Sequence, residues 1–68
     1  GGPQICTHNK DGSGGTNYQV TKDCCAAVKQ KTYFNEAEKK CMGPGGWYDN
    51  AVNTGGMVDC CTSRGAGS

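Results

Sequence analysis

Sixty-eight residues and 7.1 kDa make one small domain, and a mean hydropathy of −0.70 with no leucine leaves little apolar mass for a core. A chain of this size needs staples beyond burial, and its six cysteines, an even number, read as the disulfide framework of a secreted scaffold. Seven Lys or Arg against six Asp or Glu give a net charge of +1, which excludes the broad cationic field that nucleic-acid binding rests on, and no apolar run approaches the ~20 residues of a membrane span.

In chain order, Gly1–Pro3 is set apart as a remnant of expression and Gln4–Ser68 is read as a single disulfide-rich domain. No apolar leader segment follows the N-terminus, so the chain is expected to be a mature, secreted, extracellular form. Gln4–Thr7 reads as a short strand, and Asn9–Gly15, rich in Gly, Asn and Asp, as a loop. Thr16–Gln30 is the best helix. Thr16-Asn-Tyr-Gln19 opens it as a capping box, Val20, Cys24, Ala27 and Val28 recur at helical spacing as its buried stripe, and Lys22, Lys29 and Gln30 face water. Thr32–Asn35 is β-branched and aromatic enough for a strand, which Ala37-Glu38 turns into Lys39–Met42 as a hairpin. Gly43-Pro-Gly-Gly46 stops regular structure, and a second helix is expected from Asn53 or Thr54 to just before Gly65, with Met57, Cys60 and Cys61 inward. Gly55 and Gly56 weaken its first turn by about 1 kcal/mol each relative to Ala unless close packing requires them. The resulting fold class is α+β: a small disulfide-stapled sandwich with two helices on one face of a three- or four-stranded antiparallel sheet, the last strand vestigial after Arg64.

The cysteines fall as Cys6, Cys24-Cys25, Cys41 and Cys60-Cys61, separated by 17, 15 and 18 residues. The spacing contains a half-length repeat: setting Cys24 on Cys60 also sets Asn17 on Asn53 and Asp23 on Asp59. Six cysteines allow fifteen pairings, and those that join neighbours within a doublet close a strained ring. Two neighbours on a helix point about 100° apart, so one of each doublet can face the sheet while the other faces sideways. This favours tying Cys6 and Cys41 each to one helix and joining the helices through the remaining pair, with the individual partners left open.

The residues give little support for catalysis or metal binding. Adjacent doublets lack the spacing that converges thiolates on zinc, and an even cysteine count leaves no spare thiol as a nucleophile. His8 is the single histidine, a pH-sensing contact or an inert surface imidazole. Asp11-Gly-Ser-Gly-Gly15 has neither the partners of a serine nucleophile nor the further carboxylates of a calcium loop. Glu36, Glu38, Asp49 and Asp59 have no sugar-sized cleft to flank in so short a chain. No catalytic residue, metal ligand or cofactor is assigned. Two surface features remain as a candidate binding surface: Lys29, Lys31, Lys39 and Lys40, which gather near the helix exit and hairpin or stand as solvated lysines of a strand edge, and Trp47-Tyr48 after the Gly-rich loop, an aromatic anchor or part of the core.

A single Cys, a Gly-rich loop, a Thr-capped helix ending in Cys24-Cys25, a Tyr-containing strand leading to Cys41 and a closing Asp59-Cys-Cys-Thr-Ser-Arg-Gly65 together resemble small secreted effectors of plant-associated fungi. More narrowly, the pattern is similar to the branch related to the killer-toxin subunits of virus-carrying smut fungi. The resemblance spans Cys6 to Gly65 and implies an α/β sandwich, secretion and no enzymatic activity. The chain departs from the family pattern by ending soon after the second helix. Hydrophobins also carry cysteine doublets, but they use eight cysteines and broad aliphatic surface, which this composition does not supply. The expected function is that of a non-enzymatic, monomeric, secreted effector or virulence-associated protein that binds a host or competitor target, with no nucleic acid and no membrane segment. The alternative is an antimicrobial or killer-type toxin acting on competing microbes, against which stands the missing cationic amphipathic surface.

Overall fold

The structure, a computed structural model, describes residues 4–44 and 52–68. Its elements in chain order are α1 (Tyr18–Ala27), β1 (Tyr33–Asn35), β2 (Lys40–Met42) and α2 (Thr54–Ser63).

Helix α1 starts one residue later than the capping box predicts. Asn17, not Thr16, is the N-cap, its side-chain oxygen accepting the Val20 N–H at 3.2 Å. Thr16 instead forms an isolated bridge to Thr7, and Gln19 donates to Asp23 on its own helix at 2.9 Å. The helix also ends three residues earlier than expected, where Val28 and Gln30 are engaged by tertiary contacts. Val28 turns to an extended conformation, and its side chain packs against the core and the backbone of Gly56. Gln30, expected in water, is half-buried and accepts the Asn53 N–H at 2.6 Å through Oε1. The buried stripe of α1 is Thr21, Cys24 and Cys25, with Val20 and Val28 packed partly against it, while Ala27 is exposed.

Strands β1 and β2 form an antiparallel hairpin in the register Tyr33 to Met42, Phe34 to Cys41 and Asn35 to Lys40. Asn35 shapes the turn: its side-chain oxygen accepts the Glu38 N–H at 2.9 Å and its carbonyl the Lys39 N–H at 2.6 Å, with Lys39 left-handed at φ 57°. Among the described residues this two-stranded ladder is the whole regular sheet. Gln4–Thr7, predicted as a strand, joins through isolated bridges, Gln4 to Cys41 on one side and Thr7 to Gly67 on the other, as does the tail after Arg64. Between these bridges the main chain of Cys6 turns to α1 instead, its N–H donating to Thr21 Oγ1 and its carbonyl accepting the Asn17 N–H.

Helix α2 is capped by Asn53, whose side-chain oxygen accepts the Gly56 N–H at 2.9 Å. The two positions paired by the half-length repeat, Asn17 and Asn53, are therefore the two N-caps, and each stands seven residues before a cysteine of the helix-to-helix bridge. Met57 and Cys61 are buried and Cys60 is partly so. Gly56 is a place where a side chain has no room, since a Cβ would lie 2.7 Å from Val28 Cγ1, whereas Gly55 faces nearly open space. Gly67 lies against the Asn9 carbonyl, and a Cβ there would stand 2.6 Å from Thr7 Oγ1.

Three disulfides, Cys6–Cys61, Cys24–Cys60 and Cys25–Cys41, split both doublets between different partners. Cys6 and Cys41 each bind one helix, and Cys24–Cys60 joins α1 to α2. The bridges are also the bulk of the core: Cys6, Cys24, Cys25, Cys41 and Cys61 are buried beside Val52, Met57 and Ala66. Thr21, fully buried, ties α1 to the N-terminal segment. Its hydroxyl accepts the Cys6 N–H at 2.9 Å and donates to the Asn17 carbonyl at 2.6 Å.

Candidate functional site

The seam between α1 and β1 carries the most organised group of side chains among the described residues. Helical spacing stacks Tyr18, Lys22 and Ala26 along one face of α1, and the Cys25–Cys41 bridge holds that face against the hairpin. Phe34 meets Tyr18 edge to face, with centroids 5.4 Å apart and planes at 81°. The Tyr18 hydroxyl lies 2.9 Å from both Glu36 carboxylate oxygens, to which it donates. Lys22 Nζ completes the group: it is 3.3 Å from Glu36 Oε1, donates to the Tyr18 hydroxyl at 3.4 Å, and sits 5.6 Å and 6.0 Å from the Tyr18 and Phe34 ring centroids. The Tyr18 hydroxyl, and then Glu36, hold the Lys22 ammonium above its ordinary pKa.

Beside this group lies a cleft of about 240 Å³ lined by Lys22, Cys25, Ala26, Thr32, Tyr33 and Phe34. Tyr33 is 46% exposed and Tyr18 36%. Thr32 Oγ1 points to the bridge, 3.7 Å from Cys25 Sγ and 3.5 Å from Cys41 Sγ. The result is an apolar, aromatic-edged groove with one ion pair on its rim.

The residues singled out from sequence fall elsewhere. Lys29 and Lys31 are exposed in the connection from α1 to β1, whereas Lys39 closes the turn and Lys40, half-buried, begins β2 opposite Asn35. The register thus places the first pair at the open end of the hairpin and the second at its turn. Among the described residues the ion pairs are Lys22–Glu36 and Arg64–Asp23, the latter at 3.5 Å, and none of the four lysines takes part. Trp47, Tyr48 and Asp49 lie outside the described residues. Tyr18, Lys22, Tyr33 and Phe34 went unnoticed as a group because their proximity depends on the Cys25–Cys41 bridge. The available signals were the four-residue spacing of Tyr18, Lys22 and Ala26 and the adjacent aromatics Tyr33-Phe34.

The sulfurs of Cys6, Cys24 and Cys61 lie within 4.8 Å of one another, but they belong to two disulfides and no cysteine is free. Without a thiolate that cluster has no ligand to give a metal. The Asp11 loop satisfies itself: Asp11 Oδ1 accepts the Ser13 hydroxyl at 2.6 Å and the Ser13 N–H at 3.0 Å, and these bonds hold the carboxyl below its ordinary pKa. Gly12, Gly14 and Gly15, all at positive φ, give the loop its path. No helix among the described residues is long and apolar enough to cross a membrane.

Compared with known proteins, residues 1–68 match the model of a family of unknown function, DUF5948. No curated protein and no solved structure matches the chain.

Proposed function

The chain belongs to DUF5948, a family of unknown function, and we propose that it is a secreted fungal effector or virulence-associated protein that acts without catalysis, by binding a host or competitor target. The observation that carries this reading is the groove on the α1–β1 seam: solvent-facing aromatic rings, a fixed ion pair and an apolar floor, held on a scaffold crossed by three disulfides. Pre-ordered aromatic contacts of this kind favour recognition because little side-chain freedom is lost on binding. Full oxidation of six cysteines in so short a chain supports an extracellular setting. The same reading has the chain act as a monomer, without nucleic acid or cofactor, its two helices on one face of a three- or four-stranded sheet in which the segments 33–35, 40–42, 4–7 and, as a vestigial fourth, 66–67 lie side by side. The isolated bridges of Gln4 and Thr7 support that order.

The test is to infiltrate the refolded, fully oxidised protein into plant tissue, with affinity capture of crosslinked partners and a parallel measurement of host responses. A partner captured by the native chain and lost with Tyr33→Ala is the expected result. No partner and no response from a correctly oxidised sample would overturn the reading, and growth inhibition of fungi or bacteria at micromolar dose would replace it with a toxin.

A further inference from the structure

Among the described residues strand β1 pairs on one side alone, with β2, and its residues Tyr33 and Phe34 line the groove. In an antiparallel ladder the N–H and C=O of one residue point to the same side and alternate along the strand. Cys41 gives both groups to Gln4, donating at 2.8 Å and accepting at 2.9 Å. Lys40 and Met42 therefore face β1 and bond with their register partners Asn35 and Tyr33. Phe34, opposite Cys41, is the non-hydrogen-bonded pair. Its N–H and C=O point away from β2 and meet no partner among the described residues. The groove runs beside this edge, walled by Lys22, Cys25 and Ala26 of α1 on one side and by Thr32–Phe34 on the other.

An unpaired strand edge with a helix beside it is the geometry in which an extended peptide is added as a further strand, main-chain bonds supplying affinity and the groove receiving alternate side chains. The cleft, at about 240 Å³, is below the ~300–1,000 Å³ usual for small-molecule sites, so it suits a side chain better than a whole ligand. Charge selects the kind of peptide. Lys22 and Glu36 offset each other as an ion pair on the groove's rim, so the uncompensated charge comes from Lys29 and Lys31, exposed, in no ion pair among the described residues, and leading into the edge strand. A second copy of the chain fits less well, because a three-residue edge next to a lysine is the kind of edge that resists self-pairing.

We infer that the α1–β1 groove takes an extended, acidic peptide segment of a partner protein, which pairs its main chain with Phe34 and lays an apolar side chain against Ala26, Phe34 and the Cys25–Cys41 bridge. This deepens the reading of the chain as a non-enzymatic binder and rests on it.

The experiment is selection from a random peptide library displayed on phage against the oxidised chain, followed by titration of the selected synthetic peptides, monitored by amide NMR. Sequences combining Asp or Glu with alternate aliphatic residues should be enriched, and the Phe34 amide should become protected from exchange. Chemical synthesis with an N-methyl group on Phe34 removes a donor with no partner among the described residues, and should weaken binding at least ~30-fold. Lys31→Glu, at an exposed position, should weaken it about fivefold or more and keeps the test open if the methylated chain does not fold. Equal affinity of the N-methylated chain, unchanged affinity of Lys31→Glu, no enrichment over a reduced and alkylated control, or concentration-dependent Phe34 protection without peptide would each overturn the inference. A host partner captured equally by the N-methylated chain would overturn strand addition while leaving the binder reading standing. The absence of any host partner or response would fail the binder reading itself.

Discussion

Thr21→Val exchanges a hydroxyl for a methyl group of nearly the same volume at a fully buried position, and so isolates the polar role of the residue. Thr21 Oγ1 is the acceptor for the Cys6 N–H and reaches the Asn17 carbonyl at 2.6 Å. That carbonyl keeps a partner in the variant, the Thr21 N–H at 3.0 Å, but the Cys6 N–H does not. A buried amide left without an acceptor costs about 1–3 kcal/mol. Thr21→Ser retains the hydroxyl and loses one buried methyl, worth about 1 kcal/mol. The expected order is therefore native, then Ser, then Val, with Val near 2–3 kcal/mol below native. Guanidinium unfolding with all bridges intact, followed by far-UV circular dichroism, measures this as a shift of midpoint at constant slope. Exchange of the Cys6 amide should accelerate in the Val variant. If Thr21→Val proves as stable as Thr21→Ser, the hydroxyl is not what holds the N-terminal segment to α1.

The two neighbouring glycines of α2 should respond in opposite directions. Gly55→Ala gains up to about 1 kcal/mol because its Cβ would meet only Asn53 Oδ1 at 3.9 Å, while Gly56→Ala loses stability against Val28, as midpoints in the same unfolding assay will show. Removing the Cys25–Cys41 bridge with paired alanines frees a chain separation of 16 and should cost about 3 kcal/mol. Removing Cys6–Cys61, with a separation of 55, should cost about 4 kcal/mol, an order that thermal unfolding of the two variants can check. Asp11 has a folded pKa below 3.8 because of the Ser13 hydroxyl and N–H, so its contribution is present above that value and is lost as the pH falls through the lowered one. Asp11→Asn should remove this part of the acid sensitivity in stability measured against pH. Lys22 is shifted the other way, so its contribution is present below pH 10.5 and lost as the pH rises through the raised value. Carbon NMR of its side chain should show earlier titration in Tyr18→Phe, and earlier still when Glu36→Gln is added.

Much of the local organisation was legible in the residue order. Both helices and the hairpin follow from periodicity, capping chemistry and turn residues, all of which act within a few residues of the chain. The half-length repeat, read only as matched letters, has physical content in the paired caps Asn17 and Asn53. Their side-chain oxygens accept the Val20 and Gly56 N–H groups at equivalent places on the two helices. The boundaries were less accurate. The capping box put the first cap on Thr16, but the Asn17 N–H and carbonyl are fixed by Cys6 and Thr21, contacts that bring the N-terminal segment to α1 and make Asn17 the cap. Gln30 left its helix for Asn53, a partner 23 residues away.

Composition and cysteine count by themselves determined that the chain must be cross-linked, because so little apolar surface cannot offset the entropy of ordering it. They also determined that each doublet serves two directions, since neighbours on a helix diverge. Tertiary structure decided which cysteine meets which, and with that it decided the groove. Tyr18 and Phe34 are 16 positions apart, and nothing local aims one ring at the other until Cys25–Cys41 closes α1 onto the hairpin. The edge that β1 leaves unpaired among the described residues is likewise a property of register, in which the bonds of Cys41 to Gln4 turn the Phe34 main chain away from β2. Local chemistry can be read from neighbours in sequence, whereas a contact between distant segments exists only once the chain has paid its closure entropy in one particular topology.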